Sequence, residues 1–157
     1  MNLRQFIWET ALLPDAKKLE YLPFFWLMRI KVLALSPDWR FMRIRLPQSW
    51  IATNPGGGLF GGFQACLADP VAAMACQKRF PDYRSLTSSL QLDFIRPGLT
   101  DLELVFDFPP ETEQQIRGDL ARKGRSTPVF EYGFYQTDGR ICTRVKAEIA
   151  IRPNGKQ

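Results

Sequence analysis

The 157-residue chain contains no histidine. That absence excludes Ser-His-Asp and Cys-His nucleophile systems, His-ligated zinc and every imidazole general base, because no other side chain titrates near neutrality unless its surroundings force it to. Acid–base chemistry here rests on a carboxylate, Lys, Tyr or Cys. Cysteine is scarce too. Cys66, Cys76 and Cys142 are odd in number, form no Cys-x-x-Cys and follow no secretory leader. This argues against a disulfide framework or a zinc site and for a reducing, cytoplasmic location. No apolar run reaches the roughly 20 residues a membrane span needs. The most apolar early stretch, residues 22–35, is broken by Arg29 and Lys31. What remains, 45% hydrophobic and 24% charged, separates the chain from disordered and membrane-embedded classes. A net charge of +5 favours anionic ligands in general and selects none. Arg40, Arg43 and Arg45 form a basic stripe, which with the net charge is the whole support for nucleic acid, so it is not an expected partner.

Along the chain, residues 1–35 read as a helical arm and 36–157 as the domain it serves. In the arm, Pro14-Asp15 separates a short amphipathic piece (Leu3, Phe6, Ile7, Leu12) from a longer one in which Leu19, Leu22, Phe25, Trp26, Ile30 and Leu33 recur at helical spacing. Its aromatics, Phe24-Phe25-Trp26, fit packing onto the domain, a membrane surface or a cover over an apolar pocket. Residues 39–46 alternate as a half-buried strand. A Gly-rich loop then leads into a segment, Phe63 to Cys76, whose only strongly polar residues are Gln64 and Asp69, as expected of a buried helix. Alternation returns at Leu90–Phe94 and Leu102–Phe108, read as hairpin neighbours across Arg96-Pro97-Gly98. A helical insert runs from Pro109 to Gly124. Two last strands, Val129–Tyr135 and Ile141–Ile151, are joined by Thr137-Asp138-Gly139-Arg140. Hairpin-linked strands around one apolar helix give an α+β fold with an antiparallel sheet and exclude a doubly wound parallel one.

Two features carry chemistry. Gly56, Gly58 and Gly61 match G-x-G-x-x-G, but no βαβ unit follows and Phe63 stands where a P-loop needs Lys. The loop either serves a tight turn or delivers a helix start at Gly61-Gly62, whose free N–H groups can hold developing negative charge. Asp69 is a lone acid in an apolar helix, a costly placement unless it is paired, protonated or open to a cavity. Asp69-Pro70 also has the form of an N-cap restarting a helix.

The run from Asn54 to Asp69, with Leu92-Asp93-Phe94-Ile95-Arg96-Pro97-Gly98, resembles the hotdog-fold acyl-CoA thioesterases of the phenylacetyl-CoA thioesterase type. There a His-Gly-Gly opens the central helix, an acid follows near its middle and a strand ends in an Arg-Pro-Gly-like turn. Ser36-Pro37-Asp38-Trp39, Phe60-Gly61-Gly62, Asp69-Pro70 and the insert are closer still to a hotdog branch known only as a domain of unknown function. The resemblance implies a sheet wrapped around the central helix, hydrolysis of an acyl-CoA thioester and no cofactor or metal. It also implies the roles: Gly61 N–H on the thioester carbonyl, Asp69 as nucleophile or as base on water, Asn54 orienting the site, Thr87 holding the water, and Phe60, Gly62 and Ser88 beside the substrate. Phe60 departs from the family pattern, standing where His is usual. The alternative is a hotdog protein that binds acyl thioesters or lipids without turnover. One argument needs only the helix. Gly61 and Asp69 are eight residues apart, so at about 1.5 Å rise each they lie roughly 12 Å apart, too far to act on one carbonyl. If both act, Gly61 of one subunit meets Asp69 of another, and the protein is a homo-oligomer, a dimer or tetramer.

Overall fold

The structure, a computed structural model, describes residues 13–155; the expected amphipathic piece through Leu3, Phe6, Ile7 and Leu12 lies outside them. Two short helices, α1 (Asp15–Glu20) and α2 (Pro23–Leu27), precede strands β1 (Lys31–Leu35) and β2 (Phe41–Leu46). Then come the long helix α3 (Gly61–Arg79), β3 (Tyr83–Phe94), β4 (Leu102–Asp107), the insert helix α4 (Pro110–Lys123), β5 (Val129–Gln136) and β6 (Ile141–Pro153). All strand pairs are antiparallel, in one six-stranded sheet of order β1-β2-β4-β5-β6-β3. The sheet wraps α3, whose Leu67, Ala68, Val71, Ala72, Ala75 and Cys76 are sealed against Ile44, Leu104, Phe134 and Ile149. This is the expected α+β architecture, the hotdog fold. Among the described residues no helix is long and apolar enough to cross a membrane.

The helical reading of the arm is corrected at its far end. Residues 31–35 form β1, paired with β2 from Lys31↔Arg45 to Leu35↔Met42. Lys-Val-Leu-Ala-Leu is short and suits helix or strand; the free edge of β2 decides it. The boundary expected after residue 35 therefore falls between two paired strands. Leu19, Phe25, Met28 and Ile30, from and just beyond the two short helices, are buried in the common core, so packing onto the domain describes most of the arm. Phe24 and Trp26 stay outside.

β3 and β4 are not neighbours. β3 lies on the far edge and pairs only with β6, while β4 sits between β2 and β5. Alternation fixes which face of a strand is buried but not which strand lies beside it. The seven residues between β3 and β4 step across the sheet: Ile95 and Arg96 donate N–H bonds to the Cys142 carbonyl of β6, and Gln136 at the end of β5 donates to the Pro97 carbonyl. Three strand spacings are about 14 Å, well within reach of seven extended residues. The insert helix forms as expected and closes at Gly124 in the left-handed conformation (φ 64°), with the Gly124 N–H on the Leu120 carbonyl.

Candidate functional site

The start of α3 is built by the loop before it. A bridge between Thr53 and Leu59 closes the loop, and the Asn54 carboxamide oxygen accepts the N–H groups of Gly56 (2.9 Å) and Gly58 (3.2 Å). Asn54 thus shapes the loop that delivers the helix. Phe60 is the N-cap and offers no side-chain acceptor; its carbonyl takes the N–H groups of Phe63 (3.0 Å) and Gln64 (3.4 Å). The Gly61 and Gly62 N–H groups are the first two of the helix and point out of its positive end. Both glycines lie under the tips of exposed rings, which would have to swing aside for a side chain there. A Cβ on Gly61 would lie 2.8 Å from Cζ of Phe94, and one on Gly62 would run into the Phe60 ring. Two phenyl rings therefore rest on the helix start. Beside it opens a depression of about 420 Å³ lined by Asn54, Gly61, Gln64, Phe94 and Arg96, among others.

Gln64 was visible in the sequence as a polar interruption of the apolar run but carried no assigned role. It is buried and accepts a hydrogen bond from the Thr143 hydroxyl on β6, while its amide reaches toward the Leu59 carbonyl at 3.5 Å. Gln64 ties the helix start to the sheet on one side and to the loop on the other.

Asp69 lies two turns further along. α3 runs unbroken from Gly61 to Arg79 with Pro70 inside it, so Asp69 does not cap a restarted helix. Nor is it buried: with Cys66 it lies on the exposed stripe of α3, which resolves the apparent cost of an acid in an apolar helix. Pro70 has no N–H and leaves the Cys66 carbonyl without its helical donor. Two hydroxyls brace the backbone there. Tyr132 on β5 donates to the Ala68 carbonyl (2.7 Å), and Thr87 on β3 donates to the Asp69 carbonyl (2.7 Å). Burial pushes the Tyr132 hydroxyl above its usual range, and the negative charge of Asp69 adds to the shift, so Tyr132 stays a protonated donor. Thr87 reaches Asp69, but its proton is committed to the helix backbone.

Ser88 goes elsewhere. It is the extra residue of a bulge at which Thr87 pairs with Ile149 and Ser89 with Glu148. Its hydroxyl contacts both the carbonyl and the carboxylate of Glu148 at 3.1 Å, on the side of the sheet away from α3. The bulge also switches which β3 residues face the helix, from Ser85 and Thr87 before it to Leu90, Leu92 and Phe94 after it.

One chain thus holds two clusters, Asn54, Phe60, Gly61, Gly62 and Gln64 at the helix start and Asp69, Thr87 and Tyr132 at its middle, and does not bring Gly61 to Asp69. Neither buried cysteine offers a rival nucleophile. Burial pushes the Cys76 thiol up to about 12, only partly opposed by Arg79, and it raises Cys142 as well. Among the described residues no group of Cys, Asp and Glu is arranged to hold a metal ion.

The profile of a protein family described as a domain of unknown function (DUF4442) matches residues 16–151. Among solved structures, the chain is similar to a Pseudomonas aeruginosa protein of unknown function described as a probable thioesterase, with a TM-score of 0.79 and 18% identity over 90% of this chain and 97% of that one. It is similar to a Haemophilus influenzae thioesterase, with a TM-score of 0.70 and 15% identity over 92% and 93%. The Escherichia coli PaaI protein of the phenylacetic acid degradation operon aligns over 99% of both chains at 18% identity, with a TM-score of 0.65. At such identities the likeness establishes the shared fold. No curated protein matches the sequence.

Proposed function

This chain belongs to the DUF4442 family, with the hotdog fold also found in thioesterases, and from that premise we propose that it hydrolyses acyl-CoA thioesters at sites shared between two copies. One observation carries the reading. The only acid on the apolar central helix is solvent-facing, with the backbone around it braced by two hydroxyls, eight residues from a glycine helix start with outward N–H groups.

In this reading Asp69 takes a proton from water as the water oxygen attacks the thioester carbonyl. The developing oxyanion rests on the Gly61 N–H of the second copy. Collapse of the adduct breaks the C–S bond, and the proton held by Asp69 passes to the departing thiolate, giving a carboxylic acid and a thiol. Direct attack by the Asp69 carboxylate, through an anhydride, is the variant chemistry. Tyr132 and Thr87 are positioning residues. Three unpaired cysteines suit a reducing compartment, and we place the reaction in the cytoplasm.

A second reading is favoured by a specific observation: Phe60 stands where the thioesterases this chain resembles usually have His, and its ring lies on Gly62 with Phe94 on Gly61. Apolar rings over the helix start suit a protein that holds an acyl thioester without cleaving it. Turnover assays on short-chain, aryl and long-chain acyl-CoA esters separate the two. The hydrolase reading predicts turnover on at least one class and a loss of 10²-fold or more in kcat for Asp69→Asn. Equal rates for wild type and Asp69→Asn contradict it. No turnover, with acyl thioester retained through native purification, establishes the binding reading.

A further inference from the structure

The side of the molecule formed by α2, the start of β1 and the loop after β2 carries a surface that neither reading uses. Several large aromatic side chains of this fold, among them Phe25, Trp39, Phe106 and Phe134, are sealed inside. On this one side Trp50 is 83% exposed, Trp26 64%, Leu27 55% and Tyr21 50%, and together they line an open groove of about 520 Å³. Three cations, Lys17, Arg29 and Lys31, share its lining. The one acid there, Glu20, is buried and already engaged: its carboxylate accepts the Val32 N–H (3.0 Å) and pairs with Lys17 at 2.7 Å and Lys31 at 3.7 Å. Glu20 is shared by two of the three cations, so the groove combines exposed apolar side chains with a net positive charge.

Arg29 adds an independent observation. α2 closes with the Arg29 N–H on the Trp26 carbonyl (3.0 Å) and the Ile30 N–H on the Phe25 carbonyl (3.3 Å), the Schellman pattern. Arg29 occupies the left-handed position at φ 55°, where glycine is the unstrained choice. A strained arginine beside an exposed aromatic cluster is better accounted for by what its charge does outside the fold than by helix closure.

We propose that this surface docks the protein onto bilayers containing anionic phospholipid, with Trp26, Leu27 and Trp50 entering the interfacial layer and Lys17, Arg29 and Lys31 facing the phosphates. Indole and phenol rings favour the depth at which one end is apolar and the other wet, and basic side chains are drawn to the negative surface. Charge complementarity selects the partner: aromatics alone suit any apolar surface, but a net positive charge suits an anionic one. The groove borders β1, at the opposite sheet edge from β3, so a copy pairing along β3 leaves it open.

Co-sedimentation of the full chain with sucrose-loaded vesicles tests this, using phosphatidylcholine alone and phosphatidylcholine mixed with an equal part of phosphatidylglycerol. Binding is expected to the mixed vesicles only and to weaken as salt rises. The double variant Trp26→Ser/Trp50→Ser is expected to lose tenfold or more in partitioning. Arg29→Gly separates function from folding: it should raise Tm by about 2–4 °C by relieving the backbone, while weakening partitioning roughly fivefold. No binding to mixed vesicles, equal binding to both compositions, wild-type binding by the double variant, or a double variant that instead breaks an oligomer each overturns the proposal. None of these readings involves thioester turnover.

Discussion

Asp69 owes its placement to hydroxyls that bond the helix backbone rather than its carboxylate. Pro70 withdraws one helical donor from the turn before it, and Tyr132 and Thr87 supply hydroxyl donors to the carbonyls of Ala68 and Asp69, fixing the backbone from β5 and from β3. We expect Tyr132→Phe and Thr87→Val each to lower stability by about 1 kcal/mol, because each removes one hydrogen bond to a carbonyl that keeps its helical partner. If the hydroxyls position the acid, kcat falls while KM holds; a rise in KM alone identifies them as binding groups instead. At this scale Asp69, Gly61 and Thr87 are the candidates that the sequence alone offers. The lone acid, the glycine pair and the family pattern all lie in local runs. Tyr132 was not legible, since its acceptor is 64 residues away and nothing in a strand of alternating aromatics marks one hydroxyl as bound to a helix. Ser88 is expected beside the substrate from the resemblance, but a one-residue bulge turns it to the other face, and no alternation pattern announces a bulge among three small polar residues.

At the scale of elements, the insert helix is anchored by a single acid. Glu113 on α4 is buried and accepts two bonds from Arg79 at the end of α3, both at 2.8 Å, with Arg117 and Arg40 completing the ring. Burial alone would raise the Glu113 carboxyl, but Arg79 and Arg117 outweigh it and hold it below the usual carboxylate range. A group depressed in the folded state contributes stability that is complete above its unfolded value, near 4.5, and is lost as pH falls through the lower folded value. Thermal denaturation across this window should show wild type losing stability as acid is added below pH about 4.5. Glu113→Gln, destabilised by about 3 kcal/mol at neutral pH, should lose less over the same interval. Parallel curves for the two proteins contradict this. Helices and strands were for the most part readable from periodicity and from Pro and Gly at their ends. What failed was pairing. β1 became a strand because β2 offered it an edge, and β3 left β4 because the connection has the length to cross two strands.

At the scale of the whole molecule, β3 is a twelve-residue strand with one side unpaired among the described residues, and Leu86 and Phe94 on it are exposed. Long open edges of this kind are normally covered. In the proposed reading a second copy pairs there and Gly61 of one chain meets Asp69 of the other, as the roughly 12 Å of helix between the two residues requires. Isologous pairing makes two equivalent sites, each using one helix start and one acid. The direct measurement is subunit complementation. Asp69→Asn removes the base; Gly61→Pro removes the N–H donor at a first helical position that tolerates proline, preceded by Phe60 at ψ 125°, an extended conformation proline accepts. Each variant alone should be inactive on the acyl-CoA ester that wild type hydrolyses. Co-expressed with different tags and purified through both, the mixed dimer carries one intact site and should turn over at about half the wild-type rate per dimer. A mixed dimer as inactive as its parents, or a Gly61→Pro homodimer as fast as wild type, contradicts a site shared between subunits.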